Sequence, residues 1–318
     1  MKQIPILIDC DPGVDDSFAI ALANSHPDFE IVAITAAAGN VPAALTRQNC
    51  LCLRELFGMA NTKIGFGADA PLKKAYGVCA TEVHGENGVG GITFPAPTLP
   101  PDPREACDLI YEEAVAHSGE LILIATGPLT NIALTLRKHP DLPQHLRRFL
   151  IMGGGTFGNV RESGRRAEFN IWIDPTAAKE VFAQLEVYMV GLNATHAAAL
   201  SPSEMEELQR ICASSTAPQT EFLRKLAAFA MENSFRRGHD NNVIHDALAV
   251  AAAIDPAVVQ FEPYFVYVED RAVENEGETV IDLERKSGKV PNCHVAMQVD
   301  QPRFVKMLCD MCRCYADQ

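Results

Sequence analysis

The chain has 318 residues, 47% hydrophobic and 21% charged, enough for a sizeable core in one large α/β domain or two smaller ones. Its formal net charge is −14 and no stripe of lysine or arginine is visible, which argues against a nucleic-acid partner and favours a small neutral or cationic ligand. No apolar run reaches the ~18 residues of a membrane span, and MKQIPILID enters a strand without a signal pattern, so the ten cysteines are expected reduced in a cytoplasm.

IPILID (4–9) reads as a strand and 15–25 as a helix. EIVAITAAA (30–38) is a second strand, 42–57 a helix and TKIGFG (62–67) a short strand. Residues 76–101, rich in glycine and proline, predict a surface loop. Helix 103–118, strand ELILIAT (120–126), helix 128–138, strand FLIMGG (149–154), helix 175–184 and strand VYMVGL (187–192) follow. Strands alternating with such helices predict βαβ units and a mainly parallel sheet, and runs such as LILIA are apolar on consecutive residues, as strands covered on both faces require. After residue 200, helical segments run to Ile254, followed by strand-like YFVYVE, ETVIDL and CHVAMQV. No linker or repeat interrupts the chain, so the expectation is a single domain over 1–318 with a helical and β-hairpin C-terminal elaboration.

Ligands of open α/β sheets bind beyond the carboxyl ends of the strands, which directs attention to the strand-to-helix loops. The first, DCDPGVDD (9–16), holds Asp9, Asp11, Asp15 and Asp16 around a sharp Pro12-Gly13 turn. Helix capping accounts for one or two aspartates, not four. A hard cation accounts for the crowding: Ca²⁺ accepts six to eight oxygens from carboxylates and carbonyls, whereas Mg²⁺ usually comes with phosphate. A D-x-D after a first strand also opens haloacid-dehalogenase-type phosphatases, but no Thr or Ser follows Gly13, and the Asp15-Asp16 pair has no place in that template. The basic pairs Arg147-Arg148, Arg165-Arg166 and Arg236-Arg237 read as solvated surface. The tail CDMCRC (309–314) has no partner CxxC and reads as a C-terminal helix with thiols near its apolar face.

Further pieces lie along the chain: AGN (38–40), VHGENG (83–88), ATGPLTNIA (125–133), IMGGG (151–155), AEFN (167–170), Ile173-Asp174-Pro175 and IHDA (244–247). With DCDPGVDD, and in this order, they resemble the inosine-uridine-type nucleoside hydrolase family from residue 4 to about 300. The resemblance implies cleavage of the N-glycosidic bond of ribonucleosides by water. It implies one Ca²⁺ bound by Asp11, Asp15, the backbone carbonyl of Thr126 and Asp246, with Asp16 sharing, and Asp11 as general base. Asn40, Glu168 and Asn170 resemble ribose-hydroxyl ligands, with Asp15 contributing; if 168–170 is strand, Glu168 and Asn170 face one side. His245 would protonate the departing purine, with His84 lining the site near the base. Family members are commonly dimers or tetramers, which predicts a homodimer or homotetramer.

The chain also departs from the family pattern. The second ribose-binding Asn expected six residues before Glu168 is replaced by Glu162, and the nearest Asn is Asn159, in the loop FGNVRESGRR that is about three residues longer than usual. Arg165 and Arg166 are then placed to reach substrate or a partner subunit. Segment 229–242 carries Phe229 and Phe235 where pyrimidine-preferring members carry base-contacting tyrosines, so the expectation is a broad or purine-leaning hydrolase. His239 and Asp240 also suit recognition of an unusual base. The alternatives are a hydrolase of a modified, deazapurine-type nucleoside and a non-catalytic nucleoside or ribose binder.

Overall fold

The computed structural model describes residues 3–75, 77, 79–161, 164–271 and 274–318. In chain order the elements are β1 (Ile4–Cys10), α1 (Val14–Ser25), β2 (Phe29–Ala36), α2 (Ala43–Leu56), β3 (Lys63–Phe66), α3 (Thr81–His84), α4 (Ala106–Ala116), β4 (Leu121–Ala125) and α5 (Thr130–Lys138). Next come β5 (Leu146–Met152), α6 (Phe169–Ile173), α7 (Pro175–Gln184), β6 (Val187–Val190), α8 (Leu192–Ala197), α9 (Pro202–Cys212), α10 (Pro218–Arg236) and α11 (His245–Ile254). β7 (Val259–Tyr264), β8 (Val266–Val268), β9 (Thr279–Ile281), β10 (Cys293–Val299) and α12 (Gln301–Ala316) complete the chain.

The central sheet has the order β3-β2-β1-β4-β5-β6-β10-β7, parallel except for β7 against β10. β1 and β4 are fully buried over Pro5–Cys10 and Leu121–Ala125, because helices cover both faces. Ile6, Ile8 and Cys10 point into a core shared with α1, α2, α11 and α12, while Leu7, Leu121 and Leu123 point into a second core against α4, α5 and α7. Register aligns the strand ends: Asp9 lies opposite Thr35 of β2 and Ala125 of β4. The chain crosses from one half of the sheet to the other between β1 and β4, so the loops after these two strands flank the crevice where such sheets bind ligands.

Three features differ from the sequence reading. The loop 76–101 contains α3, and Glu168 ends in a turn that starts α6 rather than in a strand. α3 and α6 span 4 and 5 residues, too short to show a helical period. The C-terminal elaboration is less separate than expected: β7 and β10 extend the central sheet, and only β8 and β9 form an antiparallel pair of their own. α12 carries the cysteine tail with Cys309 and Cys312 buried, as its pattern predicts. No helix among the described residues is long and apolar enough to cross a membrane.

Candidate active site

The turn from β1 to α1 is organised by its own carboxylates. Gly13 begins α1, and its N–H donates to Asp16 Oδ2 (2.8 Å), closing the helix start on an acidic side chain that complements the helix dipole. Asn40 Nδ2 donates to the same oxygen (3.2 Å), and Thr126 Oγ1 donates to Asp16 Oδ1 (2.8 Å). Asp16 is thus the junction of the loops after β1, β2 and β4. Asp9 lies deeper: Thr35 Oγ1 (2.5 Å) and Asn131 Nδ2 (2.8 Å) both donate to its Oδ1. It ties β1 to β2 and α5, and burial pushes its carboxyl up to about 7.

The carboxylates of Asp15, Asp16 and Asp246 converge, with one oxygen of each within 4.8 Å of the others. Asp246 reaches them from the first turn of α11. Asp11 stands beside this group. Its Oδ2 accepts from Asn40 N (2.6 Å), and Asn40 Nδ2 also donates to the Asp11 carbonyl (3.1 Å). Burial, and then the Asp16 charge, hold the Asp11 carboxyl well above the usual range. Burial, and then Asp15 and Asp16, do the same to Asp246, while Asp15 and Asp16 rise to about 6, again mainly by burial. Asp11 Oδ1 and Asp15 Oδ1 are buried with no hydrogen-bond partner. Such orphaned acceptors are costly unless a cation or donor meets them. An all-oxygen, acid-rich set of this kind fits a hard divalent cation.

Two glycines give Asp11 its seat. A Cβ added at Gly39 lies 2.0 Å from Asp11 Oδ2, and one at Gly127 lies 2.7 Å from Oδ1. Gly39→Ala is therefore expected to displace the carboxylate and cut activity by roughly tenfold or more, with thermal unfolding registering about 1–3 kcal/mol of overpacking cost. Unchanged kcat and Tm in this variant would contradict the tight seat.

The expected sugar ligands are present but already engaged in holding the loops. Glu168 accepts from Gly154 N (3.1 Å), Asn170 N (2.9 Å) and Ile171 N (3.2 Å), capping α6. Burial raises its carboxyl to about 7. Asn170 Nδ2 donates to the carbonyls of Thr126 (2.8 Å) and Met152 (3.1 Å), bridging the ends of β4 and β5. The α6 turn, not a strand pleat, brings Glu168 and Asn170 together.

His84 on α3 accepts from Val14 N through Nδ1 (3.1 Å), which places its proton on Nε2 and fixes the ring 3.5 Å from Asp15 Oδ1. Burial lowers His84 to about 4. His245 Nδ1 meets Thr195 Oγ1 at 2.9 Å, and burial, with help from His196, His84 and Arg237, lowers it to about 3. Both are neutral imidazoles at neutral pH, so His245 as an acid offers only its N–H.

Above these groups opens a cavity of about 760 Å³. Asp15, His84 and His245 line its inner end, and His196 and Phe157 continue the wall outward. His196 lies 5.8 Å from the His245 ring, and Phe157 meets His196 edge-on at 5.3 Å. Sequence reasoning missed both residues, although His196 on α8 follows the end of β6, where the strand-end rule points. Asn159 and Arg165 line the cavity, whereas Arg166 pairs with Glu278 at 3.9 Å. Glu162 lies outside the described residues. The two phenylalanines expected at the base are not among the cavity-lining residues. Phe229 packs on Gly90, and Phe235 is 80% exposed on the last turn of α10.

Fold and site together define a doubly wound α/β protein whose crossover point carries a buried carboxylate cluster opening into a cavity. The model of the inosine-uridine preferring nucleoside hydrolases matches residues 6–306, and the chain belongs to that family of enzymes. It is 34% identical over 317 residues to the pyrimidine-specific ribonucleoside hydrolase RihA of Escherichia coli, covering 98% of this chain and 99% of the relative. The RihA of Klebsiella pneumoniae is 34% identical over 315 residues, with the same coverage. Among solved structures, the purine-preferring ribonucleoside hydrolase from Gardnerella vaginalis superposes with a TM-score of 0.90 at 28% identity, covering 98% of this chain and 99% of that one. An inosine-guanosine nucleoside hydrolase superposes at 0.83 and 30% identity, covering 96% and 98%.

Proposed function

We propose that the protein hydrolyses the N-glycosidic bond of ribonucleosides to ribose and free base, with Ca²⁺ held by Asp11, Asp15, Asp16, Asp246 and the carbonyl of Thr126. The observation that carries this reading is the convergence of Asp15, Asp16 and Asp246 beside Asp11, with buried oxygens of Asp11 and Asp15 left without partners. When bound, the cation supplies charge compensation and water activation.

The rest is the work of side chains. Asp11 takes the proton of the attacking water at Oδ1, while the Asn40 N–H fixes Oδ2. The clustered carboxylates stabilise the positive charge that develops on the sugar as the glycosidic bond breaks. Asn40 and Asn170 spend their amide N–H groups on protein oxygens, which leaves the Oδ1 of each as an acceptor for a sugar hydroxyl. Glu168, fixed by three backbone donors, offers its remaining lone pairs to the same end. The base lies along His245 and His196, and His245 donates its N–H to the leaving base.

The relatives are described as pyrimidine-specific in one direction and purine-preferring in the other. The cavity, at about 760 Å³, is large enough for either base, so the reading is a broad hydrolase acting in nucleoside salvage. Assembly as a homodimer or homotetramer in a cytoplasm belongs to the same reading. Incubation with inosine, adenosine, uridine and cytidine in the presence of Ca²⁺ is expected to release ribose from members of both base classes. Absence of ribose from all four sinks the reading for common nucleosides. Release only from deazapurine-type nucleosides would favour the modified-nucleoside alternative, and tight inosine binding without turnover would favour a binding protein.

A further inference from the structure

The outer end of the cavity is positively charged in a chain of net charge −14. Arg161, Arg165 and Arg237 all line it, with His239 beside them. Two of these belong to Arg-Arg pairs whose members have different surroundings. Arg166 turns to Glu278 (3.9 Å) and Arg236 to Glu232 (2.9 Å), each satisfied by a neighbouring carboxylate. Arg165 and Arg237, their sequence neighbours, border the cavity and form no ion pair with a carboxylate among the described residues. Asp240 is an acidic residue that also lines the cavity.

Arg165 is also held in an unusual backbone conformation. Its φ is 62°, in the left-handed region that a non-glycine residue rarely adopts. Its N–H donates to Val160 O (2.8 Å) and its carbonyl accepts from Gly158 N (2.9 Å), so the loop after β5 is folded around this residue. Arg237 borders the same cavity from just past the end of α10. Uncharged bases and ribose give such guanidinium groups no counter-charge, whereas a carboxylate or phosphate matches them by charge and by bidentate geometry.

We infer that the preferred substrate is an anionic nucleoside, with a carboxylate or phosphate oxygen group held at the cavity mouth by Arg165 and Arg237, assisted by Arg161. This rests on the hydrolase reading and narrows its substrate class. The shared chemistry has two sources: an acidic group on the base, or a phosphate on the sugar.

The test compares kcat/KM in Ca²⁺ buffer for two series. Uridine is set against 5-carboxyuridine and uridine 5′-monophosphate, and inosine against xanthosine, whose base ionises near neutral pH, and inosine 5′-monophosphate. The expected result is a preference of roughly tenfold or more for one charged class over its neutral parent. In Arg165→Gln, Arg237→Gln and the double variant that ratio falls toward one, and in the wild-type enzyme it shrinks as salt is raised. Gain with the base-charged compounds assigns the group to the base, and gain with the monophosphates assigns it to the sugar. Neutral parents preferred throughout, or variants that slow charged and neutral substrates by the same factor, would overturn the inference. Calorimetric titration of the same compounds separates the two levels. Lack of turnover with selective, arginine-dependent binding of the anions removes the hydrolase reading and keeps the anion site. Turnover without such selectivity does the reverse, and equal affinity or no binding for all compounds removes the site.

Discussion

Asp11→Asn is expected to lower kcat for every nucleoside by on the order of 10³-fold while leaving the fold intact. Asparagine keeps the shape of aspartate. Its Oδ1 can still accept from the Asn40 N–H, where Asp11 Oδ2 now does at 2.6 Å. What is lost is the charge and the basic oxygen at Oδ1, the atom the native fold leaves without a partner. Removing one of several mutually repelling buried carboxylates relieves part of their desolvation cost. The cation-free variant should therefore unfold at the same temperature as the wild type or higher. That combination of near-complete loss of turnover with undiminished stability separates a chemical role from a structural one. Turnover within roughly tenfold of wild type would remove Asp11 as the base, and a collapse of Tm would recast it as a structural residue.

Removal of Ca²⁺ with a chelator is expected to abolish turnover, and its return to raise Tm most at alkaline pH. The sign follows from the raised carboxyl groups. Asp15 and Asp16 titrate near 6 and Asp9 and Glu168 near 7 in the folded chain, while Asp11 and Asp246 lie well above the ordinary value. A carboxyl raised in the fold contributes stability that is fully present below its unfolded pKa and is lost as pH rises through the folded one. The cation-free protein thus loses this contribution as pH rises from about 4 through about 7, and loses more as Asp11 and Asp246 ionise above their ordinary range. His84 and His245, lowered to about 4 and about 3, act in the opposite direction below pH 6.5, but they are two groups against six. On the proposed reading a cation would bind the ionised cluster, so its effect is expected to grow as protons leave. At a concentration 100 times Kd the stabilisation is about 2.7 kcal/mol, or roughly 5 °C in Tm. A shift of equal size at pH 5 and pH 8, or none at either, would contradict the carboxylate cluster as the binding site.

Much of this site was legible because its chemistry clusters in sequence. Asp11, Asp15 and Asp16 occupy one turn, and the parallel sheet, readable from its apolar strands, carries that turn to the crossover point. Asn40, Thr126 and Asp246 lie at strand ends or helix starts, where position follows from the alternation of elements. The wall of the cavity was harder to read. Phe157, from the loop after β5, and His196, on α8, meet only through tertiary packing. α3 and α6 are single turns with no periodic signal, so neither His84 nor the capping role of Glu168 had a local signature. Phe229 and Phe235 show the limit of composition without geometry. Six residues apart on one helix, they point about 120° away from each other, so one packs inward and the other faces solvent.

Asp16 gathers donors from residues 13, 40 and 126, and Asp246 arrives from near the end of the chain. The ligand set therefore does not exist in any fragment or early intermediate. It closes only when loops of very different sequence separation have all docked, a late event of high contact order. Contacts absent from the transition state act on the reverse step, so an ion bound there would slow escape from the native state more than it changes the rate of reaching it. On the calcium reading, the site would therefore act as a kinetic latch on the finished fold rather than as a nucleus for building it.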